Sequence, residues 1–325
     1  VPKLSILRRA LLLAAGACLL NAAHAQGDNY PNKVIKLVVP YAPGGGTDVL
    51  ARLVAKEIQD KLGQPCIVEN KAGANGIPGT EYAAKAAPDG YTLMMAPSGP
   101  LVMNPVLQKT LPYNPQKDFV PISVVGRLPL FITVNSTQPF KTVKELVDYA
   151  KAHPNEVTYA SSAPLFQLAT ELFKQKTGTN FLAIPYKSSG ESTIALTGGQ
   201  VTIAIADVPP LAGLLKAGKL RALAYTDEHR NAAFPEVPTV AEAGLPGTEV
   251  ATLVGVIAPA GTPMPIVRKI QNVVVEMVKR PEVREAFMKI GVEPVGNTSE
   301  DFAKAIAFDL DRWATVAKRA NIQPQ

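Results

Sequence analysis

The sequence predicts an α/β protein of two lobes, each a doubly wound sheet, with the chain crossing twice between them. Three observations carry this. Short apolar runs alternate with helical patterns three times in the first hundred or so residues. The alternation breaks between residues 118 and 134 and then begins again. A return strand over residues 251–257 is followed by three helical segments, so the chain leaves the first lobe and comes back.

The first run sets the frame. Val34, Ile35, Leu37, Val38 and Val39 are β-formers, and so short an apolar run suits a strand covered on both faces. Pro40 and Pro43 stop it, and Gly44, Gly45 and Gly46 let the chain turn tightly with bare N–H groups. Thr47 and Asp48 are N-cap candidates for a helix over residues 49–62, which Gly63 ends. A strand, a glycine turn and a helix N-terminus together suit an anion, because the free N–H groups and the helix dipole favour negative charge there. The alternative is a plain tight turn. Neither GxxxxGK[ST] nor GxGxxG is present, which argues against a nucleotide.

Strands at 65–69 and 91–95 complete the first series, each ending in a loop of small residues. Residues 119–134 read as a crossing strand broken by Pro121, Gly126 and Pro129. Thr142 with Glu145 three residues later is a capping box opening a helix to about residue 152. Strands then follow at 157–160, 181–184, 201–206 and 220–225, with helices between. In the last helix, over 299–320, Phe302, Ile306, Leu310, Trp313 and Ala317 share one face. The expected division is a signal peptide over 1–25, lobe 1 over 26–127 and 251–325, and lobe 2 over 128–250.

Composition narrows the class. A chain of 325 residues with 47% hydrophobic and 18% charged content can bury a substantial core. Lys3, Arg8 and Arg9, the apolar stretch 10–20 and Ala23-His24-Ala25 make a signal peptide cleaved near Ala25. The formal net charge of +6 falls to +3 when those three cations leave. No basic cluster interleaved with aromatics appears, so nucleic acid is not expected as a partner. Cys18 leaves with the signal, and Cys66 stands alone as a buried structural thiol.

Catalysis has few groups to use. His153 and His229 are the histidines of the mature chain, and HExxH, CxxC and GxSxG are absent. No metal, cofactor or catalytic residue is expected. Binding is better supplied: Gly44, Gly45, Gly46 and Thr47, Ser98 with Gly99, Ser161 with Ser162, and Ser188 with Ser189 all sit in loops at predicted strand ends. Backbone amides and hydroxyls from both lobes suit a carboxylate, held directly or through water. Asp207 suits an amino or hydroxyl group, and Lys187 a counter-charge.

Seven blocks, in order, resemble the Bug-type receptors of tripartite tricarboxylate transporters: VVPYAPGGGTD (38–48), VENKAGANGIPG (68–79), PDGYTLM (88–94), LPYNPQKDFVPI (111–122), GKLRALA (218–224), FPEVPTVAEAG (234–244) and APAGTP (258–263). The resemblance covers nearly the whole mature chain. It implies a periplasmic binding fold of the Venus-flytrap type that closes on a small carboxylate and is recognised by a membrane permease. A sensor that presents its closed form to a signalling protein, and an enzyme on the same fold, are the alternatives. A monomer is expected. The implied ligand loop is Tyr41, Ala42 and Gly44 to Asp48, with Ser98 in the second contact loop of lobe 1. Asp207 matches the family aspartate.

The second-lobe loop departs from the family pattern. In YASSAPLFQLATELF (159–173) the run before the helix is shorter. Gln167 stands where histidine is usual, and Pro164, Leu165 and Phe166 replace small residues. Ser188, after Tyr186 and Lys187, stands where glycine is usual. A more apolar pocket wall and a packing change away from the pocket both fit that departure.

Overall fold

A computed structural model describes residues 29–319 and residue 324. The predicted signal peptide lies outside the described residues. The first lobe starts with strand β1 (Ile35–Val39), helix α1 (Gly46–Leu62) and β2 (Cys66–Asn70). A 3₁₀ turn at Ala74–Gly76, α2 (Ile77–Ala84), β3 (Thr92–Pro97) and the short α3 (Asn104–Leu107) follow. β1 pairs in parallel with β2 and β3, as a doubly wound series requires. Its apolar side chains are buried on both faces, which is why the run is continuous rather than alternating.

β4 (Phe119–Asn135) is a single strand of 17 residues that serves both lobes. Residues 119–129 pair antiparallel with β9 (Ala251–Pro259), and residues 130–135 pair with β7 (Ile203–Asp207) and β8 (Leu220–Tyr225). Pro121 and Gly126, breakers in the sequence, flank register shifts that let the strand continue. Between these strands lie α4 (Val143–Ala152), β5 (Thr158–Ser161), α5 (Pro164–Thr177), β6 (Leu182–Pro185), α6 (Ser189–Thr197) and α7 (Ala212–Lys216). Thr142 caps α4 as expected, accepting from the Glu145 N–H at 3.1 Å, and Glu145 reaches back to the Lys141 N–H.

The chain ends with α8 (Met264–Lys279), α9 (Pro281–Lys289), β10 (Glu293–Pro294) and α10 (Ser299–Arg319). The strand order is β2-β1-β3-β9-β4-β7-β5-β6, with β8 and β10 joined to β4. The expected α/β fold of two lobes is therefore present, built as two parallel groups joined by antiparallel crossing strands. Ile266, Val267, Ile270, Val273, Val274 and Met277 of α8 share a core with Leu50, Val54 and Ile58 of α1. Each such side chain contributes about 1.5–3 kcal/mol when fully buried. Phe302, Ile306, Trp313 and Ala317 of α10 are buried as the sequence predicts, and Leu310 is half-buried. Cys66 is only half-buried by area, yet its surroundings push the thiol up to about 12, so it stays protonated.

The hand-over in β4 is tied by side chains. Thr226 Oγ1 donates to Val250 O at 2.6 Å and accepts from the Leu130 N–H at 2.7 Å, so one hydroxyl joins β4 to both segments flanking the second crossing. Arg127 beside it bridges Asp227 at 2.6 Å and Glu293 at 3.0 Å. Among the described residues no helix is long and apolar enough to cross a membrane.

Candidate functional site

The glycine turn shapes a helix end with no side-chain cap. α1 begins at Gly46, earlier than the expected residue 49, and its N-cap is Gly45 in an extended conformation. Thr47 and Asp48 therefore lie inside the first turn and are not the cap. Gly44 has φ +95°, which a side chain would resist, and this turns the chain from β1 into the helix. The first-turn N–H groups have no partner within the helix.

Asp48 braces this turn. Its carboxylate accepts from the Gly44 N–H at 3.1 Å, from Arg52 Nε and Nη2 at 3.0 Å each, and from Asn70 Nδ2 at 3.0 Å. Asn70 Nδ2 also reaches Tyr41 O at 3.0 Å. Burial alone would raise the Asp48 carboxyl, but Arg52, Asn70 and the Gly44 N–H together bring it below the ordinary range. Asp48 is 4% exposed and its oxygens are engaged by protein donors. It holds the loop in shape.

Asp207 meets the same helix end from the other lobe. It ends β7, opposite Leu130 at the hand-over in β4. Its carboxylate accepts from the Gly46 N–H and, through Oδ1, from Ser189 Oγ at 2.7 Å. A β-carbon on Gly46 would overlap it, so only glycine permits this approach. Burial pushes the Asp207 carboxyl up, against the pull of Ser189 and the Gly46 N–H. Gly190 packs on Gly44 less tightly: a β-carbon there would stand 3.2 Å from Gly44 O.

Between these contacts lies a cavity of about 30 Å³. Tyr41, Ala42, Gly45, Gly46, Thr47, Asp48, Ser162, Ser188 and Asp207 all line it, so the structure brings most of the predicted residues together. Ser161, Gln167, Tyr186 and Lys187 line a groove of about 530 Å³, which shares Tyr41 and Ser162 with the cavity wall. Gly44 is exposed at the rim. Ser98 lies apart from both: its hydroxyl accepts from the Leu253 N–H at 2.9 Å and so ties β3 to β9, while its neighbours Pro97 and Gly99 reach the cavity. Ser188 Oγ accepts from the Glu191 N–H at 3.2 Å and thereby caps α6.

Sequence reasoning missed Leu128, Thr252, Pro97 and Ala163. Leu128 and Thr252 are register partners on β4 and β9, and no local pattern marks either. Leu165 and Phe166 answer the question left by the altered second-lobe loop. Both are buried and both line the cavity, so the change makes the wall apolar.

Comparison with known proteins agrees with this geometry. The tripartite tricarboxylate transporter family receptor matches residues 50–322. Protein BugT of Bordetella pertussis is 40% identical over 91% of this chain and 92% of its own length. The solved structure of R. palustris Rpa4515 with adipate is 36% identical, with TM-score 0.89 over 91% of this chain and all of that one. MatC of Rhodopseudomonas palustris with bound malate is 30% identical, with TM-score 0.84 over 88% of this chain and 99% of that one. The chain belongs to the tripartite tricarboxylate transporter receptor family.

Proposed function

We propose that this member of the family is a periplasmic receptor that captures a small carboxylate between its lobes and delivers it to a membrane permease of the same transport system. It acts by binding and carries out no chemistry on its cargo. One observation carries the reading. The uncapped N-terminus of α1, on one lobe, and the Ser162, Ser188, Ser189 and Asp207 loops, on the other, converge on one interlobe cavity. We take lobe 1 as residues 26–127 and 251–325 and lobe 2 as 128–250.

The working cycle follows from the contacts. With the lobes parted, the first-turn N–H groups of α1 offer a site for the cargo's carboxylate, favoured by the helix dipole. Closing brings Ser162 and Asp207 onto the same cargo. A cargo that touches both lobes binds the closed form better than the open one, and it shifts the equilibrium only by that difference. Asp207 already lies on the Gly46 N–H, so a cargo carboxylate must share the helix end with it. That favours cargo presenting a hydrogen-bond donor to Asp207, or an Asp207 that is protonated, as its burial promotes.

The test is a thermal-shift screen of the purified protein against adipate, malate, citrate, glutamate and benzoate. A ligand that binds only the folded state raises its stability by about 2.7 kcal/mol at a hundredfold excess over Kd. A shift with at least one acid, lost in Gly46→Val, is expected. No shift with any of the five sinks the receptor reading.

A further inference from the structure

Three hydroxyls on the cavity wall have no hydrogen-bond partner: Tyr41 Oη, Ser162 Oγ and Thr252 Oγ1. Ser162 is 8% exposed and Thr252 7%. Leaving a buried hydroxyl unpaired costs about 1–3 kcal/mol, and folded proteins rarely do so without a reason. Elsewhere several comparable groups are satisfied, as Ser123 donates to Asn297 O, Thr226 to Val250 O and Thr80 to Gly76 O, while Thr133 Oγ1 and Ser192 Oγ are the two other buried hydroxyls without a partner among the described residues. Eight buried side-chain polar atoms lack a partner among the described residues, and three of them belong to residues that line this one small cavity. That concentration points to a ligand.

The surroundings say what the ligand offers these hydroxyls. No lysine or arginine lines the cavity, and its two carboxylates are Asp48 and Asp207. A second carboxylate buried against hydroxyls alone would lack a cation, which makes its desolvation costly. An uncharged oxygen meets no such penalty. Thr252 is the register partner of Leu128, so its hydroxyl stands beside an apolar side chain on the same face of the sheet. Leu165 and Phe166 extend that apolar wall from the other lobe.

We propose that Tyr41, Ser162 and Thr252 form a hydroxyl cage that binds an uncharged oxygen of the cargo. Among small carboxylates the receptor then selects hydroxy or oxo acids over their deoxy analogues. This rests on the receptor reading above and adds the identity of the second recognised group. Ser162 belongs to the loop after β5, while Tyr41 and Thr252 belong to β1's loop and β9. The cargo oxygen therefore bridges the lobes and favours closure.

The experiment is calorimetric titration with three matched pairs: malate and succinate, lactate and propionate, 2-oxoglutarate and glutarate. The oxygenated member binds at least about tenfold tighter in one pair or more, since a deoxy ligand leaves the cage unpaired. Thr252→Val, isosteric but lacking the hydroxyl, brings that ratio to within about twofold, by weakening the oxygenated acid and sparing the deoxy one. Ser162→Ala does the same from the other lobe and serves if Thr252→Val fails to fold. Equal binding within every pair overturns the cage and leaves the receptor reading standing. So does a variant that weakens both members equally. Binding of none of the six acids overturns the cage, while the receptor reading is then decided by the wider screen above.

Discussion

On the first-lobe side of the cavity the polar wall is backbone, the N–H groups at the start of α1, with Asp48 holding their loop from behind. On the second-lobe side, the polar groups are side chains: Ser162, Ser188, Ser189 and Asp207, beside the apolar Leu165 and Phe166. Backbone donors can be moved only by moving the helix, whereas side chains change with one substitution. The first lobe is therefore suited to a feature that any carboxylate shares, and the second to features that tell one acid from another. The two buried aspartates show the same contrast. Asp48 is 4% and Asp207 3% exposed. Asp48 is held below the ordinary value of 3.8 by an arginine, an amide and a backbone N–H. Asp207, with no cation among the groups that shift it, is pushed above that value by burial.

The largest break in this contrast comes from Asp48→Ala. It strands the Gly44 N–H, leaves Asn70 Nδ2 with Tyr41 O alone and frees the loop, at a cost of about 2–3 kcal/mol. In thermal unfolding the melting temperature drops by roughly 4–12 °C. A drop under about 1 °C would show that the loop stands without its brace.

Gly46→Val comes next. Its side chain overlaps Asp207 and crowds Leu128, whose Cδ2 would lie 2.8 Å from the new β-carbon. Overpacking of this kind costs about 1–3 kcal/mol, here charged to the closed form. Carboxylate affinity falls roughly 10- to 100-fold in titration calorimetry. Unchanged affinity would mean that the lobes need not meet at Gly46.

Asp207→Asn sharpens the aspartate comparison through pH. A carboxyl whose folded pKa is raised stabilises the fold fully below its ordinary range, and that contribution is lost as pH rises through the folded value. Above the ordinary carboxylate range burial works against the Asp207 charge, and Asn, which carries none, gains a relative advantage in stability there. The advantage shrinks on acidification and vanishes near pH 4. Asp48 behaves oppositely: its contribution is present above the ordinary range and lost as pH falls through its lowered value. Melting curves of wild type and Asp207→Asn from pH 4 to pH 8 test this, and a gap that stays constant with pH would contradict it.

Gln167→Ala carries the smallest effect. Gln167 faces the outer groove and not the cavity. Affinity for a small acid shifts by less than about twofold, as for most surface changes. A loss of tenfold would place the cargo in the groove.

Local signals in the sequence were strong where one segment made its own structure. The β1 run, the three glycines and the α1 pattern are contiguous, so the strand, turn and helix end could be read together. The Thr142 capping box and the α10 face were legible for the same reason. The same locality misled at Thr47 and Asp48, which have the chemistry of caps. Gly45 takes the cap because the extended loop reaches the helix first, and Asp48 turns back to hold it. Ser98 was read as a ligand group because it sits in a strand-end loop, but β9 claims its hydroxyl.

By itself the sequence determined the α/β class, the two series of strands, the glycine turn before α1 and the family, since all are written in contiguous residues and their order. Tertiary structure decided that Asp207 lies on Gly46, that Leu165 and Phe166 face the cavity, and that Thr252 belongs to it at all. Each of these depends on strands paired far apart in the chain. Leu128 and Thr252 meet only because β4 and β9 pair in one register, and a slip of one residue would turn both side chains to the opposite face.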